Sequence, residues 1–382
     1  MRRLGLFIAV MASLSSMASA AEPVKWRGLR LPADGGELRV GGLVQADGVW
    51  LVDDAAGQVD RFEVRRARVR IDGRLGERVG VRFQPQFTPG GVVVLDGFVD
   101  LTLVGDALTL RMGKQKTGLG IEMLQVVTAL MLPERGLTTS LVPVRDIGLA
   151  LRGRAGVFEY QLGVMNGAPD GSNRDGDVAD GFDLDARVAV RPVPWLGDVG
   201  FALAGGYGED EGTADDTGLA RYRTVTRAPV ARFGEGVVAD GIRWRLNPQA
   251  WAFVGPFGAL AEYVRSSQAA RGATGARAVA NQGWLLGVSW VLTGEDAAYA
   301  GVTPAGGLGA VEVAARYGEL RFDGGAIEAG VLVGPAVARS WGVALNHVPH
   351  GAARVQLAFE QTRFDGALAT ESAVFLRFQA AP

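Results

Sequence analysis

Along most of the chain, hydrophobic and polar residues alternate with a period of two. From residue 66 the even positions are Arg66, Arg68, Arg70, Asp72 and Arg74, and the odd ones are Ala67, Val69, Ile71, Gly73 and Leu75. Successive strand side chains point to opposite faces, so this strand has one charged face and one apolar face. The pattern recurs with Ile147, Leu149 and Leu151 against Asp146, Arg152 and Arg154. It recurs again with Leu184, Ala186 and Val188 against Asp183, Asp185 and Arg187, and with Val355, Leu357 and Phe359 against Arg354, Gln356 and Glu360. No helical period is sustained after residue 20.

Sixteen strands are predicted. They lie at about 37–51, 62–74, 79–87, 92–104, 108–113, 146–154, 157–166 and 181–192. The rest lie at about 199–208, 239–252, 257–267, 282–293, 309–320, 339–347, 353–363 and 371–379. The gaps alternate between tight turns and longer polar loops. Two depart from this: the gap 88–91 is short where a loop is due, and 294–308 is long where a turn is due. A segment near Arg221–Phe233 is a candidate extra strand that would spoil the even count. A soluble sandwich also alternates, but short turns at one end and long loops at the other are the habit of an outer-membrane barrel. Closure leaves no unpaired backbone edge in lipid, and sixteen strands enclose an aqueous channel. The expected fold is therefore all-β: a transmembrane antiparallel up-and-down barrel of about 16 strands.

The chain begins with Arg2 and Arg3, a short apolar run from Leu4 to Ala12, and small residues leading to Ala18-Ser19-Ala20. This reads as a secretory signal peptide over residues 1–20. Residues 21–36 then form a short N-terminal periplasmic segment, and 37–382 the barrel. Composition narrows the function. With 48% hydrophobic residues the chain is not a disordered one, and with no cysteine it holds no disulfide or thiolate site. A formal net charge of −2 gives no support for nucleic-acid binding.

Charge is distributed unevenly. Fourteen basic residues, Arg187 and Arg191 among them, fall in the inward phase against eight acidic ones, a surplus of six in a chain that is slightly acidic as a whole. Fixed positive charge concentrates anions in a confined channel. Arg66, Arg68 and Arg70 repeat at a step of ~6.6 Å, with Arg111, Arg152 and Arg154 as further members of an anion path. The competing reading is that these arginines only pair with inward acids. The gap Lys114–Arg145, 32 residues long, carries Val126, Val127, Leu130, Met131 and Leu132 close together. A loop of that length is usually functional. It is expected to pack inside the barrel as a constriction, bringing Lys114, Lys116, Arg135 and Arg145 to the narrow zone, the alternative being an outer loop at a subunit contact. His347 and His350 sit at a predicted tight turn, and 170–177 fails the spacing of a calcium loop. No catalytic grouping, metal site or cofactor is called for, so the chain is not read as an enzyme.

Several pieces resemble the phosphate-selective porins O and P. They are Phe62-Glu63-Val64-Arg65-Arg66-Ala67-Arg68, Arg111-Met112-Gly113-Lys114-Gln115-Lys116 with Gly118-Leu119-Gly120-Ile121-Glu122, Pro133-Glu134-Arg135, and Arg145-Asp146-Ile147-Gly148. Further on come Gly255-Pro256-Phe257 with Glu262-Tyr263, Gly283-Trp284 with Leu292-Thr293-Gly294-Glu295, Ala314-Ala315-Arg316-Tyr317, and Gly342-Val343-Ala344-Leu345-Asn346. They occur in the family's order. The resemblance implies a sixteen-stranded homotrimeric porin in the outer membrane of a Gram-negative bacterium, with the long third loop folded into the pore. It would sit in outer-membrane lipid and lipopolysaccharide and pass small anions, inorganic phosphate or polyphosphate. A general, weakly selective porin, or a substrate-specific channel without phosphate preference, is the alternative. The sequence departs from the family at Leu95, where a lysine often stands, and at the end Gln379-Ala380-Ala381-Pro382, where an aromatic residue is usual.

Overall fold

A computed structural model describes residues 29–33, 35–53, 58–173, 181–193, 195–273, 275–366 and 368–381. The expected signal peptide lies outside these. The first strands are β1 (Leu29–Ala33), β2 (Gly36–Asp53), β3 (Arg61–Leu75), β4 (Val79–Thr88), β5 (Gly91–Val104), β6 (Leu108–Gln115) and β7 (Asp146–Ala155). Next come β8 (Phe158–Met165), β9 (Asp183–Val190), β10 (Asp198–Glu211), β11 (Arg221–Arg223), β12 (Pro229–Phe233), β13 (Val238–Val254) and β14 (Phe257–Gly272). The last are β15 (Gly275–Val291), β16 (Ala310–Arg321), β17 (Leu332–Val333), β18 (Val337–His350), β19 (Ala353–Phe364) and β20 (Glu371–Ala380).

Strands β2 to β10, β13 to β16 and β18 to β20 pair antiparallel in succession, and β20 pairs back onto β2 from Val44↔Ala380 to Asp53↔Ser372. The result is a closed barrel of sixteen strands. All sixteen predicted strands are present, most extended by one to five residues at an end. The candidate extra strand near Arg221–Phe233 is real but outside the wall. It forms β11 and β12, which join β17 in a separate three-stranded sheet, so the even count survives.

β1 was not predicted. It pairs with residues 36–40 of β2, while β20 reaches only to Val44. It thus covers a stretch of β2 edge that the last strand leaves bare, which matters because an open edge carries unpaired backbone groups. The outer surface is apolar, with Leu149, Leu151, Leu162, Leu203 and Leu286 all exposed. Phe257 and Trp290 stack at 6.0 Å near the short-turn end, as an interfacial aromatic girdle does.

One glycine sets a close approach. Gly113 has φ +125°, and a Cβ there would lie 2.2 Å from the Gly97 carbonyl oxygen across the β5–β6 pair. Immediately after it, Lys114 and Gln115 are buried.

Candidate functional site

Residues 116–145 join β6 to β7 through three short helical turns, Ile121–Leu124, Val127–Ala129 and Leu137–Leu141. Their backbone is tied to inward-facing side chains of several strands. The Gly120 N–H donates to Asn247 Oδ1 at 2.7 Å, and the Ile121 N–H to Glu262 Oε2 at 2.8 Å. Asn346 donates to the Met131 carbonyl at 3.0 Å, Gln356 to that of Leu130 at 3.3 Å, and Arg354 to that of Thr128 at 3.1 Å. These partners sit on β13, β14, β18 and β19. Carbonyls that no helix satisfies here find side-chain donors, as buried backbone groups must.

Ion pairs reinforce the ties. Glu134 accepts from Arg65 at 2.6 Å, Arg66 at 3.2 Å and Arg377 at 2.8 Å, and Arg377 also grips Asp47 at 2.6 Å. Burial pushes the Glu134 carboxyl up, but Arg65, Arg66 and Arg377 more than offset this and hold it well below the usual carboxylate range. Arg316 bridges Glu122 at 2.8 Å and Glu360 at 2.7 Å.

The other wall is left open to a cavity of about 1690 Å³. Its lining holds fourteen basic residues against five acidic ones, so it is strongly cationic although the chain is not. Glu77, Arg78, Gly105, Asp106 and Gly153 place its mouth at the short-turn end. Lys116, Ile121, Leu124, Val126 and Arg145 bound it on the side of the 116–145 segment.

The predicted site residues divide between cavity and ties. Arg68, Arg70, Arg111, Lys116, Arg145, Arg152 and Arg154 line the cavity. Arg68 donates to Gln86 at 2.7 Å, Arg70 pairs with Asp72 at 2.6 Å, Arg111 with Asp100 at 2.6 Å, and Arg154 with Glu159 at 3.2 Å. Arg145 pairs with Asp96 at 3.0 Å. Lys116 Nζ donates to the carbonyls of Leu124 at 2.9 Å and Gln125 at 3.1 Å. Burial, with Arg145 and Arg135 nearby, holds its amine well below the ordinary lysine value. Among the described residues, Arg68 and Arg152 have no carboxylate partner.

Arg66, Lys114 and Arg135 are not among the cavity-lining residues. Arg66 is 3% exposed and bound to Glu134 and Gln45. Arg135 donates to the Glu122 carbonyl at 2.7 Å, and burial lowers its guanidinium to about 10. Lys114 is buried in the wall. The even stripe on β3 is therefore split: Arg66 ties the segment, while Arg68 and Arg70 face the cavity. Simple alternation missed Arg65. The register slips between Gln45 and Ala46 opposite it, a bulge that aims both Arg65 and Arg66 at Glu134. Arg82 was missed too. It precedes a second slip, at Gln84/Pro85, and pairs with Asp72 at 2.7 Å.

The long-loop end is covered on one side. The β11–β12 hairpin leaves the wall at β10 and reaches β3 and β20, half the barrel away. Thr224 donates to Glu371 at 3.0 Å, Gln58 to Thr226 at 3.0 Å, and Arg227 pairs with Glu63. Arg227 has φ +77°, an uncommon backbone state for a residue with a side chain. Under the hairpin an apolar cluster that includes Tyr222, Phe233, Phe322 and Leu332 packs on Leu137 and Leu141.

Comparison with known proteins places this geometry. The family profile for phosphate-selective porin O and P matches residues 39–371. No curated protein matches the sequence significantly. Among solved structures, the outer-membrane channel DcaP of Acinetobacter baumannii aligns over 94% of this chain and 100% of its own, at 11% identity and TM-score 0.60. A loop-deletion form of the outer-membrane protein OmpT of Vibrio cholerae aligns over 91% of this chain and 100% of its own, at 11% identity and TM-score 0.60. The anion-selective porin from Comamonas acidovorans aligns over 91% and 100%, at 14% identity and TM-score 0.56. With a closed sixteen-strand barrel and a family match over most of its length, the chain belongs to the phosphate-selective porin O and P family of Gram-negative outer-membrane porins.

Proposed function

We propose that this porin passes small anions passively, with phosphate or polyphosphate as the favoured class, and does no covalent chemistry. One observation carries the reading: the fourteen-to-five surplus of basic over acidic residues around the cavity. Fixed cations in a water-filled, low-dielectric-walled space raise the local anion concentration. Arginine also presents a fork of N–H donors that fits two phosphate oxygens at once. The 116–145 segment, tied to one wall, narrows the path and directs anions past Arg68, Lys116 and Arg145. The family name points the same way. By the same reading, the porin works as a homotrimer embedded in lipid and lipopolysaccharide.

Reversal potentials of the purified protein in planar bilayers test this, measured in chloride and then phosphate gradients. Anion-over-cation permeability above one, with phosphate reducing chloride current at sub-stoichiometric concentration, is the expected result. A preference for potassium over chloride at ~0.1 M salt, where screening reaches only ~10 Å, refutes it. Anion preference without any effect of phosphate would leave a general anion porin.

A further inference from the structure

Two aromatic rings lie under the cavity's arginines, and neither is explained by lipid contact or by the ties of the 116–145 segment. Phe98, on β5, is 6% exposed. The Arg111 guanidinium carbon lies 3.5 Å from its ring centroid, and that of Arg82 lies 5.4 Å away. Trp251, on β13, is equally buried, with Arg191 at 5.2 Å and Arg187 at 5.8 Å. Each ring thus serves two arginines, on different walls of one cavity.

Acids fix the other coordinates of these arginines. Arg111 gives its Nε and Nη2 to Asp100, and Arg82 its Nε to Asp72. Arg191 gives Nε to Asp198 and Nη1 to Glu159, and Arg187 gives Nη1 to the other oxygen of Glu159. The Trp251 indole N–H donates to the same Asp198 oxygen at 2.8 Å. No described side chain accepts from Nη1 of Arg111, either terminal nitrogen of Arg82, or Nη2 of Arg187 and Arg191.

Resting on the anion-porin reading above, we propose that Phe98 and Trp251 are positioning residues for oxyanion selectivity. Each ring clamps the plane of two guanidinium groups, so that their remaining N–H donors are presented as fixed forks. A chloride ion is a sphere and accepts from any nearby N–H. A phosphate or carboxylate gains by taking two N–H groups at set spacing and angle. Freezing the plane therefore favours the forked anion without changing the net charge. The acids do not replace this function: a carboxylate holds one edge of a guanidinium, but the group still rocks about that edge unless a face is supported.

The test is Phe98→Leu and Trp251→Leu, each measured for chloride-over-potassium and phosphate-over-chloride permeability, and for the phosphate concentration that halves the chloride current. Folding is checked by heat-modified gel mobility. Chloride-over-potassium should stay within twofold of the parent, because no charge changes. Phosphate-over-chloride should fall several-fold and the half-inhibiting phosphate concentration should rise. Phe98→Tyr, which keeps the ring, should restore both. Should a leucine variant fail to fold, the methionine variant, similar in volume but unbranched and flexible, also lacks the ring and carries the same expectation. Folded variants with unchanged phosphate-over-chloride ratios overturn the proposal while leaving the anion-porin reading intact. A cation-selective parent overturns the anion-porin reading itself.

Discussion

Glu134 offers the sharpest test of how the inner segment is held. It is 5% exposed, and three arginines, Arg65, Arg66 and Arg377, close on it within 3.2 Å. Replacing it with Gln keeps the volume and removes the only charge that these three share. Arg377 retains Asp47 at 2.6 Å, but Arg65 and Arg66 have no second carboxylate among the described residues. Removing one partner of a buried ion pair typically costs ~3–5 kcal/mol. Two like charges ~4 Å apart at an effective dielectric near 20 repel by up to ~4 kcal/mol, so the upper part of that range is the expectation. Glu134→Gln should lower the temperature at which the compact gel band is lost by several degrees. It should also make single-channel current noisier, because the segment leaves the β2–β3–β20 wall. The sign with pH is fixed by the depressed Glu134 carboxyl. Its stabilising contribution is present above the unfolded value near 4.3 and is lost only as pH falls through the lower folded value. The parent should therefore keep its advantage over the variant at pH ~4.3 and lose it only in stronger acid. Equal melting and equal noise in parent and variant at neutral pH would refute the view that this cluster anchors the segment.

Leu149→Arg puts a charge on the exposed lipid face of β7 and should cost ~2–4 kcal/mol near the bilayer midplane, read as reduced folding yield in vesicles. Arg68→Gln with Arg152→Gln removes two cavity arginines that have no carboxylate partner among the described residues. Anion selectivity should fall in ~0.1 M salt and the difference should shrink at ~1 M, where screening shortens to ~3 Å; reversal potentials at both concentrations decide. Gly113→Ala drives a Cβ to 2.2 Å from the Gly97 carbonyl oxygen at a φ of +125°. The β5–β6 pair should open there, seen as faster amide exchange at residues 97–99 than in the parent.

Strand positions were legible because lipid outside and water or polar contacts inside impose a strict two-residue period on the wall. What the period does not encode is what meets the inward face. Arg66 and Arg68 share a face and a spacing, yet one is locked to a carboxylate 68 residues away in sequence and the other borders the cavity. Gln356 looks from alternation like a tolerant lumen position. It is 1% exposed and holds the Leu130 carbonyl and Asn346, so Arg would not fit there. The bulges beside Arg65 and after Gln84 break the period where charge is needed. The β11–β12 hairpin escaped clear assignment because a sheet built from loops has two-residue alternation too, without a place in the wall.

The cationic cavity opens at the short-turn, periplasmic end and reaches inward to the 116–145 segment, while the opposite mouth is roofed in part by an apolar cluster beneath the β11–β12 hairpin. A conduit with its fixed charge gathered at one end is not symmetric to a reversing voltage. When the field drives anions in from the charged end, they enter a space already enriched in them; when it drives them from the roofed end, they must first cross a region with no such reservoir. The open-channel current should therefore rectify, carrying more anion flow from the periplasmic side than toward it at equal and opposite potentials. On the anion-porin reading proposed above, anions inside the barrel would gather at its periplasmic end rather than evenly along it.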